Sequence, residues 1–256
     1  MGGVAPHRSD PGREAGVSTC QVHPVPGDLT LAIETSNPSS GGVPGVALGR
    51  VDGDAVALIG VERLGEGERH DDLLMPAIRS LMQREGFEPG QLERVVCSIG
   101  PGGYTGLRIA TAAANMIALT SGARLYGVPS AWVAARESSP AGTFAVALSS
   151  KKDTSYVTVF PAGGGEPIEG RVIAADELEG LGIGVLLGDR FLPTPFREAC
   201  DKLGIEVREP TFSAEACLML APRLRAIPVG QLVPEYGREA EAVTKWRELH
   251  PKPGRS

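Results

Sequence analysis

Aromatic residues and histidines are scarce in this sequence. Aromatics make up 5% of its 256 residues, and four histidines are present beside 34 glycines. This balance is typical of an α/β protein with many tight turns, and it argues against an aromatic-rich binding module. No apolar run approaches the roughly 20 residues that a membrane-spanning helix requires. We therefore expect a soluble, cytoplasmic protein without membrane contact.

Cysteine pairs are also missing. Cys20, Cys97, Cys200 and Cys217 lie far apart, and no Cys-x-x-Cys pair occurs. This spacing favours neither a zinc site nor a small disulfide-bonded scaffold, so we interpret the cysteines as reduced, buried thiols.

A clustered excess of positive charge is absent as well. The formal net charge is −6, whereas binding to the nucleic-acid backbone needs a cationic face. If tRNA is the substrate of a larger assembly, we expect other subunits to hold most of it.

The sequence has neither a Walker-type phosphate loop nor a Gly-x-Gly-x-x-Gly fingerprint. Glu34, Thr35 and Ser36 instead end a predicted strand and precede a loop of Gly and small hydroxyl residues. Such loops can hold phosphate through backbone N–H groups while the acid recruits a divalent ion. A strand that ends in Glu-Thr-Ser also occurs in ordinary hairpins, so both interpretations stay open.

Hydrophobic periodicity predicts two similar α/β units in tandem. The first unit combines strands and helices in the order βββαβαβα, with strands at 29–34, 45–50, 55–62, 95–99 and 124–128 and helices at 70–84, 105–121 and 130–136. The second unit has predicted strands at 144–148, 156–160, 170–173 and 184–187 and helices at 195–203 and 213–226. Each unit is expected to be a mixed sheet with helices packed against it. We predict a flexible leader at 1–28, a first domain at 29–136, a second domain at 142–245 and a frayed tail at 246–256.

The run from Ser98 to Arg108 is the most specific motif, and it reads Ser-Ile-Gly-Pro-Gly-Gly-Tyr-Thr-Gly-Leu-Arg. Its glycines allow a tight turn from strand to helix, and Thr105 is predicted to cap that helix. Backbone N–H groups at the helix start would suit an anion. Arg108 is predicted to contact a partner or an anion, or else to be simply solvated.

Two further polar clusters have ordinary explanations. His70, Asp71 and Asp72 precede a helical pattern, and a helix cap is a better interpretation than a metal site because a second histidine is not nearby. Ser149, Ser150 and Lys151 favour a polar hairpin turn over a catalytic Ser-Lys pair. We expect no catalytic residue, no metal ligand and no cofactor in this chain.

The motifs together resemble the TsaB family, also called YeaZ. Residues 31–36 are similar to the family's Leu-Ala-Ile-Asp-Thr-Ser opening, and 100–109 is close to its Gly-Pro-Gly-Ser-Phe-Thr-Gly-Leu-Arg-Ile. Residues 70–76 and 126–130 resemble its next helix and strand, and 234–238 resembles its terminal Pro-x-Tyr-x-Arg. The resemblance is clear from about 29 to 160 and fainter to about 245.

The resemblance implies an actin/sugar-kinase-like (ASKHA) fold and a non-catalytic subunit that makes threonylcarbamoyladenosine on tRNA together with a TsaD-like transferase. A TsaE-like ATPase would join the assembly, tRNA would be contacted indirectly, and a homodimer is possible. Glu34, Thr35 and Ser36 would be a vestigial nucleotide site. The implied partner-binding residues lie on two helices and are His70, Asp71, Leu74, Ile78, Thr105, Gly106, Arg108, Ile109, Ala112, Ala113 and Met116. We expect Gly106→Arg or Ala113→Arg to abolish partner binding without disturbing the fold.

Some positions depart from the family pattern. Glu34 stands where the family has Asp, and 149–151 reads Ser-Ser-Lys in place of Asp-Ala-Arg. The leader and an insertion at 37–45 are also atypical. An ATP-dependent phosphotransferase of the sugar-kinase type remains the alternative, although it needs an acid for its metal and a base for the acceptor. A peptidase would need a metal pair or an activated nucleophile, and neither is evident in the sequence.

Overall fold

The structure, a computed structural model, describes residues 2, 26–36, 43–65, 70–238, 246 and 249–250. The side chains of His70 and Asp71 are outside this description. Most of the predicted leader, the insertion and the tail also lie outside the described residues.

The described residues form eleven strands and five α-helices. In chain order these are β1 (Asp28–Glu34), β2 (Gly45–Asp52), β3 (Ala55–Arg63), α1 (His70–Arg84), β4 (Arg94–Gly100), α2 (Tyr104–Ser121), β5 (Arg124–Pro129), α3 (Ser130–Ser138), β6 (Phe144–Lys151), β7 (Thr154–Phe160), β8 (Ile168–Ala174), β9 (Val185–Gly188), α4 (Thr194–Leu203), β10 (Glu206–Arg208), α5 (Ala214–Met219) and β11 (Ala226–Ile227).

Two mixed sheets organise these elements. The first has the order β11-β5-β4-β1-β2-β3, with β1 parallel to β4 and antiparallel to β2. The second has the order β10-β9-β6-β7-β8, with β6 parallel to β9 and antiparallel to β7. The prediction of two mixed sheets with helices packed against each is therefore confirmed.

Helices cover both faces of the first sheet. One face packs on α1 and α2 through a core that includes Leu31, Leu81 and Ala114, all fully buried. The other face packs on α3 and α5 through a second core, and α3 also contacts β6 of the second sheet. A third core joins the far side of the second sheet to α4 around Phe196. The outward sides of α1 and α2 consequently form an outer layer of the molecule.

The end of the chain returns to the first sheet. Strand β11 pairs with β5, and α5 packs on β1, β2 and β3. The predicted second-domain range 142–245 thus includes a segment that packs with the first sheet, while the domain limits themselves stay a prediction.

The prediction of a helix at 213–226 is wrong, because the helix in the structure is shorter. Ser213 caps it as its Oγ accepts a hydrogen bond from the Ala216 N–H (3.0 Å), but α5 ends at Met219. Pro222 then lies in a 3₁₀ turn. Proline has no N–H to continue an α-helix, and it disfavours helical backbone in the residue before it.

Candidate functional site

The predicted nucleotide motif lies at the end of β1, in the interior of the molecule. Glu34 is 1% exposed, and Ser36 is fully buried. One carboxylate oxygen of Glu34, Oε1, accepts hydrogen bonds from both the N–H and the Oγ of Ser36, each at 2.6 Å. The other oxygen, Oε2, is buried without a hydrogen-bond partner among the described residues.

Burial raises the pKa of Glu34 above its ordinary value of 4.5, although hydrogen bonds from Ser36 oppose the shift. The thiols of Cys97 and Cys217 are fully buried, and desolvation, with the Glu34 charge as a smaller cause, raises the pKa of each. A carboxyl group in such surroundings favours its neutral form. This position therefore suits a structural acid better than an exposed metal ligand.

The Glu-Thr-Ser motif is hydrogen-bonded to the glycine-rich turn that follows β4. The Gly103 N–H donates to the Ser36 carbonyl oxygen (2.6 Å), and the Thr35 hydroxyl donates to the Gly106 carbonyl oxygen (3.3 Å). These bonds fix the start of α2 against the end of β1. The predicted turn from strand to helix is confirmed, but Thr105 does not cap α2, because Gly103 occupies the cap position without a side-chain bond.

Gly106 faces inward, toward β1. A Cβ at this position would lie 2.9 Å from the Thr35 carbonyl oxygen. The expectation that Gly106→Arg leaves the fold intact is therefore wrong, since the new side chain would meet backbone rather than solvent. Ala113 is half-buried and packs against the core, so it is also a poor probe of the surface.

A short C-terminal segment, Pro234 to Arg238, connects the two sheets, and we call it the strap. Its Glu235 N–H donates to the Ile99 carbonyl oxygen (2.7 Å), beside the turn that leads to α2. Gly100 has φ +110°, and a Cβ there would lie 2.1 Å from the Glu235 carbonyl oxygen. Only glycine fits this close approach of two backbones.

The other end of the strap holds the β6–β7 hairpin. Arg238 donates to the Ser149 carbonyl oxygen (2.7 Å), to the Thr154 Oγ1 (2.8 Å) and to the Thr154 carbonyl oxygen (2.6 Å). The interpretation of 149–151 as part of a polar hairpin is confirmed, since β6 and β7 are paired through it. The strap therefore ties the second sheet to the start of α2.

The outward side of α2 is exposed and carries large apolar side chains. Tyr104 is 55% exposed, Met116 is 60% exposed and Leu119 is 68% exposed. Ala112, between Tyr104 and Met116 on the same side, is small and exposed. Exposed apolar side chains in one patch are typical of protein-binding surfaces.

Arg108 lies in this stripe, one turn after Tyr104. Its guanidinium carbon is 4.0 Å from the centroid of the Tyr104 ring, and its Nε donates to the Tyr236 hydroxyl (2.9 Å). Arg108 is thus held in place by an aromatic pair rather than simply solvated. Whether it also contacts a partner stays a prediction.

The implied partner-binding residues fall into two groups. Thr105, Arg108, Ala112 and Met116 are exposed, whereas Leu74 and Ile78 are 1% and 5% exposed and belong to the core under α1. Ile109 is half-buried and packs on the same core. The exposed side of α1 instead presents Met75, Pro76 and Arg79, which line a shallow groove of about 570 Å³. We call Met75, Pro76, Arg79, Tyr104, Arg108, Ala112, Met116 and Leu119 the docking face.

The sequence alone did not show which residues of α1 and α2 belong to the docking face. The resemblance implied contacts on α1 and α2, but it included residues from both the exposed and the buried side of each helix. The three- and four-residue spacing of the exposed positions 104, 108, 112, 116 and 119 was the signal in the sequence that could have separated them.

Among the described residues, no group of three or more His, Cys, Asp or Glu side chains could hold a metal ion. The metal interpretation of His70 and Asp71 concerns side chains that lie outside the description. None of the described helices is long and apolar enough to cross a membrane.

Comparison with known proteins gives both a family match and a fold match. Residues 66–182 match the family TsaD, described as tRNA N6-adenosine threonylcarbamoyltransferase. No curated protein sequence matches the chain.

Two solved structures from Pseudomonas aeruginosa share its fold. One is described as an uncharacterized protein with similarity to peptidase YEAZ; it is 19% identical with a TM-score of 0.61, and the alignment covers 82% of this chain and 100% of the other. The second, YeaZ, is 19% identical with a TM-score of 0.59, and the alignment covers 82% of this chain and 99% of YeaZ.

The fold match covers 82% of the chain, and the predicted α/β class of two mixed sheets with helices packed against each is confirmed. The family match covers α1, α2 and the strands around them, which are the elements that form the docking face and the glycine-rich turn. The chain therefore has a fold similar to that of YeaZ, and its residues 66–182 are similar to the TsaD family.

Proposed function

We propose that this chain is a non-catalytic subunit in the synthesis of threonylcarbamoyladenosine on tRNA, and that its docking face binds a TsaD-like transferase. The observation that carries the proposal is the exposed apolar stripe of α2. Tyr104, Met116 and Leu119 are each more than half exposed on a helix whose other side is packed in the core.

The shape of the face suits an α-helical partner. Ala112 leaves a low point between Tyr104 and Met116, and small residues allow another helix to approach closely. Tyr104 is held by its stack with Tyr236 (ring centroids 4.9 Å apart), so little side-chain freedom is lost on binding. An ordered aromatic anchor beside small residues is typical of stable interfaces.

The charges of the face indicate what the partner presents. Arg79 is exposed and forms no ion pair among the described residues, and Arg108 forms none either, although it is bonded to Tyr236. A partner with apolar side chains at its centre and carboxylates near Arg79 and Arg108 would complement this face.

The absence of catalysis by this chain alone is supported by the state of Glu34. A phosphotransferase needs an accessible acid for its metal ion, but this carboxyl group is 1% exposed and bonded to Ser36. The chemistry of the assembly would then belong to the partner. The ATP-dependent phosphotransferase alternative predicts turnover by the isolated chain, which would be lost in Glu34→Ala.

Co-purification tests the docking face. The tagged chain should recover the TsaD-like protein and the TsaE-like ATPase from its native cells, and Met116→Arg should abolish recovery of both. Leu203→Arg is a matched control, because Leu203 is 41% exposed on α4, on the far side of the second sheet. Equal recovery with Met116→Arg and the unaltered chain would refute the docking face, and a free homodimer that is lost in Met116→Arg would place self-association on the same surface.

A further inference from the structure

A second surface feature is a cavity of about 790 Å³ beside the linker between the two sheets, and no docking-face residue lines it. Its walls come from α3, from the linker at 139–142, from β6 and β7, and from the residues after α5. The outer helices α1 and α2 contribute nothing to it. A cavity of this volume is in the range of small-molecule sites.

One wall of the cavity is aromatic. Phe144 and Phe160 stack with ring centroids 5.1 Å apart and planes 10° apart. Trp132 on α3 also lines the cavity and is half-buried. Four prolines complete the apolar lining, at positions 140, 161, 167 and 222. Flat apolar surfaces of this kind favour a planar ring as the ligand.

The charged lining is predominantly cationic. Arg136 and Arg223 both line the cavity, are exposed, and form no hydrogen bond or ion pair among the described residues. Asp54 is the acidic residue in the described lining. Arginine guanidinium groups bind phosphate by paired hydrogen bonds and also stack on planar rings.

From this arrangement we infer that the cavity binds a mononucleotide, with the base against Trp132 and the phosphate on Arg136 or Arg223. A purely apolar ligand would leave both arginines without a counter-charge, and a bare anion would leave the aromatic wall unused. A nucleotide satisfies both parts of the lining. The inference rests on the cavity alone and is independent of the proposed function.

Tryptophan fluorescence can test this inference with AMP as the probe. The chain has two tryptophans, and Trp246 is exposed and far along the sequence from the cavity lining. In a Trp246→Phe background, Trp132 becomes the single reporter. We expect saturable quenching by AMP at concentrations up to about 1 mM, with adenosine and inorganic phosphate each binding at least about tenfold more weakly, since each lacks one of the two interactions.

Variants of the arginines complete the test. At least one of Arg136→Ala and Arg223→Ala should weaken AMP binding by about tenfold, and the thermal midpoints of both variants should match the parent because both side chains are exposed. Arg225→Ala is the control, since Arg225 is exposed, forms no hydrogen bond or ion pair among the described residues, and does not line the cavity. Absence of saturable quenching, equal binding of phosphate and AMP, or unchanged affinity in the Arg136→Ala Arg223→Ala double variant would overturn the inference.

Discussion

The ring of Tyr236 stacks on the ring of Tyr104, with centroids 4.9 Å apart and planes at 26°. This contact joins the strap to the first turn of α2, and Arg108 completes it by bonding to the Tyr236 hydroxyl. The strap is thereby part of the support for the docking face. Its other end, Arg238, holds the hairpin of the second sheet.

We predict that Arg238→Ala destabilises the protein by about 1.5 to 3 kcal/mol, the usual range for hydrogen bonds to a charged group. The variant loses three hydrogen bonds to Ser149 and Thr154 and leaves their carbonyl oxygens without this donor. Urea unfolding followed by circular dichroism measures the change. Arg225→Ala should be neutral, and a neutral Arg238→Ala would show that the strap does not stabilise the contact between the sheets.

Gly106 provides a test of the packing between α2 and β1. Alanine favours a helix over glycine by about 1 kcal/mol, so propensity alone predicts that Gly106→Ala stabilises the protein. The new Cβ would, however, lie 2.9 Å from the Thr35 carbonyl oxygen, which belongs to the backbone and cannot rotate away. We expect the steric effect to dominate, with a net loss of about 1 to 3 kcal/mol in the free energy of unfolding.

Thr105→Ala is the appropriate control for Gly106→Ala, because Thr105 is the exposed neighbour on the same helix. It should change stability by less than about 0.5 kcal/mol. A gain in stability from Gly106→Ala would mean that α2 can move away from β1 at little cost.

The buried Glu34 predicts a pH dependence of stability. Its pKa in the folded protein is raised by burial above the ordinary value of 4.5. At a pH between the ordinary pKa and the raised pKa, Glu34 keeps its proton in the folded state and has lost it in the unfolded state. The free energy of unfolding therefore falls as the pH rises through this range. Glu34→Gln removes the titration and keeps an oxygen acceptor for Ser36.

We therefore expect Glu34→Gln to raise the thermal midpoint more at pH 8 than at pH 5. The same comparison with Glu198→Gln, an exposed residue on α4, should show no such difference. An equal effect of Glu34→Gln at both pH values would indicate that Glu34 is not held neutral.

The sequence was sufficient to predict most elements because their patterns are local. The predicted strands at 45–50 and 55–62 and the predicted helix at 70–84 correspond to β2, β3 and α1, with ends that differ by at most two residues. Long-range contacts were not accessible in this way. Gly106 was assigned to an exposed surface because a helix pattern alone does not reveal that Thr35, 71 positions away in the chain, lies against it.

The short strands and the strap were harder still. β11 has two residues, Ala226 and Ile227, and pairs with β5 only because the chain returns across the molecule. The contact of Arg238 with Ser149 likewise joins positions 89 apart. Neither β11 nor the strap has a repeating pattern of apolar residues from which it could be predicted. The resemblance did mark 234–238 as a motif.

The most direct test of the central claim is the level of threonylcarbamoyladenosine in tRNA, measured by mass spectrometry of nucleosides from cells that lack this chain. We predict that the modification falls on deletion, that the unaltered chain and Leu203→Arg restore it, and that Met116→Arg does not. Normal levels after deletion, or full restoration by Met116→Arg, would contradict the account.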